Sequence, residues 1–236
     1  MMKKLFFLLL SIVLSFCVFA ADENKRPIEL SGSLGYGYNY TWGSYGLLDV
    51  KTLVPINPNF ELDAAIRLNT ANLYAAGVNL RPLFPLNVGE MYVETKLIYL
   101  SNVRNRIHDL NAAVSVGYRM DYVTVQLGVY THLMDEFKRE WASENEVLTE
   151  PISLLYSIEA RVRPASSNWN LWMRCASFDE YQVERMLQPI FTIGAKYNAW
   201  KKMWVWADVA CKPTGMFHLD ATFYGIQARA GLTWNF

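Results

Sequence analysis

Apolar and polar residues alternate along almost the whole chain, and that alternation restricts the fold more than any other feature. The final stretch, YGIQARAGLTWNF, places Tyr224, Ile226, Ala228, Ala230, Leu232, Trp234 and Phe236 on every second position. Gly225, Gln227, Arg229, Gly231, Thr233 and Asn235 fill the positions between them. Successive side chains of a strand point to opposite faces, so this segment has one apolar face and one wet face. LSGSLGYGYNYTW, FELDAAIRLN, DLNAAVSVGYRM, VTVQLGVYTH and ISLLYSIEARVR repeat the pattern. In WVWADVACK the charges of Asp208 and Lys212 set the register, which leaves Val205, Ala207, Val209 and Cys211 on the apolar face. YGLLDVKTLV and LYAAGVNL are less regular segments of the same kind. Summed along the chain, the period predicts about twelve strands, within a range of about ten to fourteen.

The first residues have a different character. A charged start, MMKK, precedes the apolar run LFFLLLSIVLSFCVFA, and Val18-Phe19-Ala20 offers small-residue spacing for cleavage. Residues 1–20 therefore read as a secretory signal peptide, and residues 21–236 as one β domain with no linker or internal repeat. Removing Lys3 and Lys4 leaves 20 basic against 22 acidic residues, a balance that gives no reason to expect nucleic acid as a partner. Only Cys175 and Cys211 remain after the leader, too few for a disulfide-stapled scaffold. Both have lipid-facing parity on strands that flank a third, so they are expected to be free thiols.

The connections carry separate information. VPINPNF, RPLFPLNVG, RMDY, RPASSNW and YNAWKK read as the short turns of one end. MDEFKREWASENEVLTEP, FDEYQVERMLQ and KPTGMFHLD read as long loops gathered at the other. Period alone does not say whether the apolar face looks inward, as in a soluble barrel, or outward to lipid. The polar face carries Glu61, Asp63, Arg67, Glu94, Lys96, Arg119, Glu159, Arg161, Arg174, Lys196, Asp208 and Arg229, a mixture of signs that suits a polar lumen. The strands are long enough to cross a bilayer when tilted. Aromatics stand at strand ends (Tyr38, Tyr40, Trp42, Trp169, Tyr197, Trp200, Trp234), where interfacial girdles lie. Closure also leaves no unpaired backbone in hydrocarbon. The expected fold is all-β: a closed antiparallel transmembrane β-barrel.

On these residues the chain resembles the outer-membrane β-barrel proteins of Gram-negative bacteria, and the terminal LTWNF is similar to their C-terminal signature. The resemblance implies location in the cell outer membrane, with lipid around the wall. It also implies that the barrel-assembly machinery reads Trp234 and Phe236 during biogenesis.

For function, the expectation is a porin-like, structural or surface role with a narrow or plugged lumen and no catalysis. The lumen candidates are Glu94, Lys96, Arg119, Glu159, Arg161, Trp172, Arg174, Lys196, Trp206, Asp208 and Arg229. Trp172 and Trp206 face inward on strands separated by one other, either as a stacking platform for an amphipathic ligand or as lumen filling. The closing strands offer glycines inward, so any open path is expected beside Gly35 and Gly231. An alternative is an outer-membrane lipid hydrolase or acyltransferase, with His132 and Ser153 opposite each other across adjacent strands. His108 and His218 have no evident partner. A secreted soluble β-barrel binding protein is the other alternative. No HExxH, CxxC or glycine-rich phosphate motif occurs, so no metal or cofactor is expected. The acidic run DEFKREWASENEVLTE reads as a solvated loop. The partner solute or surface ligand is not specified by the sequence.

Overall fold

The computed structural model describes residues 27–39, 43–102, 107–137, 146–147, 152–164, 167–183, 189–212 and 225–236. The leader, Tyr40, Trp42, His218 and most of the two loops on either side of residues 146–147 and after Lys212 lie outside them. So do the side chains of His108 and His132.

The strands are β1 (Glu29–Asn39), β2 (Gly43–Asn57), β3 (Phe60–Asn69), β4 (Leu73–Pro85), β5 (Glu90–Asn102), β6 (Ile107–Arg119) and β7 (Val123–Phe137). They continue with β8 (Glu146–Val147), β9 (Ser153–Val162), β10 (Trp169–Ala176), β11 (Ile190–Trp200), β12 (Met203–Cys211) and β13 (Ile226–Asn235). The two-residue β8 only extends the outer end of β7, pairing with Glu136 and Phe137. The other twelve form the wall, each antiparallel to its neighbours. β1 pairs with β13 from Glu29↔Asn235 to Tyr38↔Ile226, which joins the first strand to the last and closes the sheet. Closure gives every wall strand two partners, the condition for crossing hydrocarbon without unsatisfied backbone.

The turns at the end shared by both termini are short. Met120 N–H donates to the Val123 carbonyl at 2.8 Å in the β6–β7 turn. Gly89 turns the chain between β4 and β5 at φ 83°, where a side chain would run into the Arg119 carbonyl. At the opposite end Asn72 takes φ 63° between β3 and β4, a conformation asparagine tolerates better than most residues. The Asn69 side chain supports this turn by accepting the Ala71 N–H at 2.6 Å.

The two faces of the wall differ as the alternation requires. Leu127 is 71 % exposed and Ile193 63 %, whereas Arg67 is 0 % and Lys96 5 %. An exposed apolar belt around a buried charged interior is inside-out for a water-soluble domain. The expectation of a closed all-β barrel of about twelve strands is met, and WVWADVACK has the register that Asp208 and Lys212 indicate. Near the terminal end, Trp169, Tyr197, Trp200, Trp234 and Phe236 stand exposed on the outside. Trp169 and Tyr197 lie together, with ring centroids 4.9 Å apart. Cys175 and Cys211 are free, both opposite Phe191 from either side of β11.

Candidate functional site: a charged bore with an inserted loop

Inward residues on β2–β7 form a continuous ion-paired lining. Arg67 Nε and Nη2 donate to the two oxygens of Asp49, each at 2.7 Å, a bidentate pair buried in the wall. Arg81 bridges Glu61 at 3.0 Å and Glu94, with Asp63 at 3.9 Å. Gln126 Nε2 donates to Glu94 at 3.0 Å and to Ser115 Oγ at 2.6 Å, while Tyr92 donates to Gln126 Oε1 at 3.2 Å. Lys96 lies 3.4 Å from Glu94. Across the seam Arg229 makes a second bidentate pair with Asp208, at 2.9 and 2.7 Å, and reaches Asp49 at 3.2 Å. These charges satisfy one another, as burial demands.

Between β10 and β11 the chain folds into the bore. Asp179 makes the turn: its N–H donates to the Gln182 carbonyl, and its Oδ1 accepts the N–H groups of Tyr181 at 2.6 Å and Gln182 at 2.9 Å. Phe178 and Val183 are bridged across it. The two aromatics of this loop reach different walls. Tyr181 packs on Ala65, Leu73 and Ala75, with the Arg67 guanidinium 4.0 Å from its ring centroid. Phe178 packs on Ala113, Tyr130 and Leu155, with the Lys96 ammonium 4.4 Å away. Main-chain groups are held too: Lys96 donates to the Asp179 carbonyl and Arg174 to the Phe178 carbonyl, each at 3.1 Å. Lys51 donates to Glu180 at 2.7 Å. Gly77 is required beneath the loop, because a Cβ there would collide with the Glu180 carbonyl. The loop is a cross-piece seated on a belt of small wall residues.

A cavity of about 270 Å³ remains between this cross-piece and the end shared by the termini. Trp172, Arg174 and Lys196 line one side, and Trp206, Asp208 and Arg229 another. The Trp172 indole lies over Gly194 and the Trp206 indole over Gly231, so each glycine makes room for a ring. Trp206 Nε1 donates to Ser31 Oγ at 3.2 Å.

The residues named from the sequence fall into three groups. Glu94, Lys96, Asp208 and Arg229 belong to the paired lining. Arg119 pairs with Glu90 at 3.0 Å, and Arg161 with its neighbour Glu159. Trp172, Arg174, Lys196 and Trp206 surround the cavity. The open path expected beside Gly35 and Gly231 is not there. Arg229 lies against Gly35 and Trp206 against Gly231, so the small residues admit neighbouring side chains rather than a channel. His132 and Ser153 are not opposite each other either: His132 pairs with Asn111, and Ser153 stands across from Tyr130. The residues that sequence reasoning missed are those of the inserted loop. By its length FDEYQVERMLQ reads with the outer loops; Ala65, Ala75, Gly77 and Ala113, small on an otherwise charged face, are the signal that could have placed it.

No protein family matches the chain in a scan of family profiles, and no curated protein is similar to it in sequence. Solved structures are similar in fold. The NanC porin aligns at a TM-score of 0.53 with 8% identity, over 89% of this chain and 100% of that one. An outer membrane channel from Pseudomonas putida F1 aligns at 0.53 with 8% identity, over 92% and 98%. With its apolar outer belt and charged interior, the chain has the fold of the outer-membrane β-barrels.

Proposed function

We propose that the chain is a porin-like protein of the outer membrane whose bore is narrowed by the loop between β10 and β11. The observation that carries this reading is the inverted wall, apolar outside and ion-paired inside, with a loop seated across its interior. Surface lipid would meet residues such as Leu127 and Ile193, and the leader at residues 1–20 would direct export. A lipid hydrolase is less well supported, because Ser153 shares the inner face with Tyr130 and Leu155, away from lipid.

Single-channel recording of the refolded full-length barrel tests the reading. Small conductance is expected for the native chain, with an increase of several-fold when Phe178–Val183 is replaced by a short glycine-serine linker. Absence of current from both proteins, each shown to be folded and inserted, would overturn it.

Trp234 and Phe236 are proposed to serve assembly. Trp234 lies outside on β13, and the Phe236 N–H donates to the Ile28 carbonyl at 2.9 Å, so the last residue also fastens the seam. Removing Phe236 is expected to lower the amount of heat-modifiable barrel in cells several-fold. The unfolding midpoint of barrel refolded in detergent should move little.

A further inference from the structure

The turn between β4 and β5 lacks the chemistry of a turn that faces water. It is a tight reversal: the Leu86 N–H donates to the Gly89 carbonyl at 3.1 Å, which leaves Asn87 and Val88 at the tip. Glycine, asparagine and aspartate suit such tips, and a β-branched apolar residue does not. Val88 nonetheless stands 70 % exposed and Leu86 52 %. From Pro82 to Gly89 the sequence carries no charge. The β11–β12 turn, at the same end of the barrel, is built the other way, with Lys201 and Lys202 exposed.

The apolar turn is also aimed. Tyr118 shares the outward face of β6 with the exposed Val114 and Val116, and its hydroxyl donates to the Val88 carbonyl. The tip is thereby held to the outside of the wall and not across the bore. Gly89 allows the close approach, since a Cβ there would also crowd the Tyr118 hydroxyl. On the outer side the turn joins an apolar row: Phe84 stands opposite Met91, Met91 opposite Tyr118, and Tyr118 opposite Val125. Tyr122, exposed in the next turn, adds a ring with a polar tip.

We infer that the β4–β5 turn is a foot set into the lipid leaflet at the terminal end of the barrel, with Leu86 and Val88 among the upper acyl carbons. The inference rests on the reading of the chain as an outer-membrane barrel and adds a lipid contact beyond the strands themselves. Lipid is the occupant because the patch runs into the outer belt with no charged residue between them. A docking site for a protein would be set off by a polar rim. Removing Leu86 and Val88 from water is favourable, whereas the ammonium groups of Lys201 and Lys202 are drawn back to it.

Fluorescence quenching by brominated lipid tests the contact. Full-length barrel carrying Cys17→Ala, Cys175→Ala and Cys211→Ala is refolded into phosphatidylcholine vesicles, and one new cysteine is labelled with an environment-sensitive dye. The sites are Val88→Cys and Leu86→Cys on the turn, Leu127→Cys on the wall and Lys201→Cys on the charged turn. Apolar groups at an interface settle about 5–10 Å into the headgroup and acyl boundary, so bromine high on the acyl chains should lower emission from both turn labels about twofold or more. The Leu127→Cys label should be quenched as well, and the Lys201→Cys label should change little. Turn labels quenched no more than Lys201→Cys, beside a quenched Leu127→Cys, would overturn the proposal and leave the barrel reading standing. An unquenched Leu127→Cys label would overturn both. Energy transfer between labelled Val88→Cys copies in place of lipid quenching would assign the patch to a second copy and equally overturn it.

Discussion

Arg81 and Arg174 both carry a guanidinium into the same bore, on opposite sides, and they are used differently. Arg81 is enclosed by Glu61, Glu94 and Asp63, which leave its donors little else to do. Arg174 holds a hydroxyl and a main-chain carbonyl and faces a cavity with donors to spare. The first guanidinium is held by carboxylates, and the second is held by neutral oxygens with Glu159 opposite it on the next strand. The difference teaches that inward charge in such a wall is no single category: its worth depends on whether the partner is built in.

The contrast is most directly broken by removing each arginine in turn. Arg81→Met takes the shared guanidinium from three buried carboxylates and should destabilise the barrel by about 3–5 kcal/mol. Arg174→Met breaks two hydrogen bonds to neutral oxygens and no direct ion pair among the described residues, and should cost about 1 kcal/mol. Equal shifts in denaturant midpoint for the two refolded variants would erase the distinction. The outer faces, by contrast, should behave alike. Leu97→Arg on the paired side and Val209→Arg on the cavity side each put a charge in lipid near mid-wall, at a cost of about 2–4 kcal/mol. A large difference between them would mean that the asymmetry extends through the wall.

Smaller effects sharpen the role of the loop. Burial alone would push the Glu180 carboxyl up, but the Lys51 ammonium at 2.7 Å holds it well below the ordinary carboxylate range. A carboxyl whose folded pKa is lowered stabilises above its unfolded value and loses that contribution as pH falls through the folded one. Current should therefore stay level from neutral pH down through the usual glutamate range and rise only in stronger acid. Glu180→Gln should raise it about twofold at neutral pH and flatten the profile. Least of all, Trp172→Ala with Trp206→Ala should increase current by a fraction, since the loop above still crosses the bore. Assembly should be nearly intact, because neither ring faces lipid.

Much of this arrangement was legible before any coordinates. Alternation located the wall strands and their faces, because a one-residue slip would carry Asp208 or Arg229 into lipid. The five short turns were equally plain, being bounded by residues such as Pro55, Pro85 and Asp121. The inserted loop was not legible, since nothing local separates an acidic turn in solvent from one clasped by Lys51 and Lys96 across the bore. The glycines of the seam misled for a related reason. An absent side chain reads as space, but Trp206 and Arg229 fill that space from the next strands.

The seam also sets a clock. Ser31 and the Leu232 carbonyl, 201 residues apart, are joined by a hydrogen bond in the finished ring. Closing so long a span costs little more free energy than closing half of it, because the penalty grows only with the logarithm of length. Time is another matter. The glycine-rich edge of β1 is among the first parts of the wall to emerge and must wait, unpaired, for the final strand of the chain. Throughout that wait it is an adhesive border for any other extended segment it meets. The same contact that leaves the mature ring without edges makes its precursor dependent on being kept apart from its neighbours.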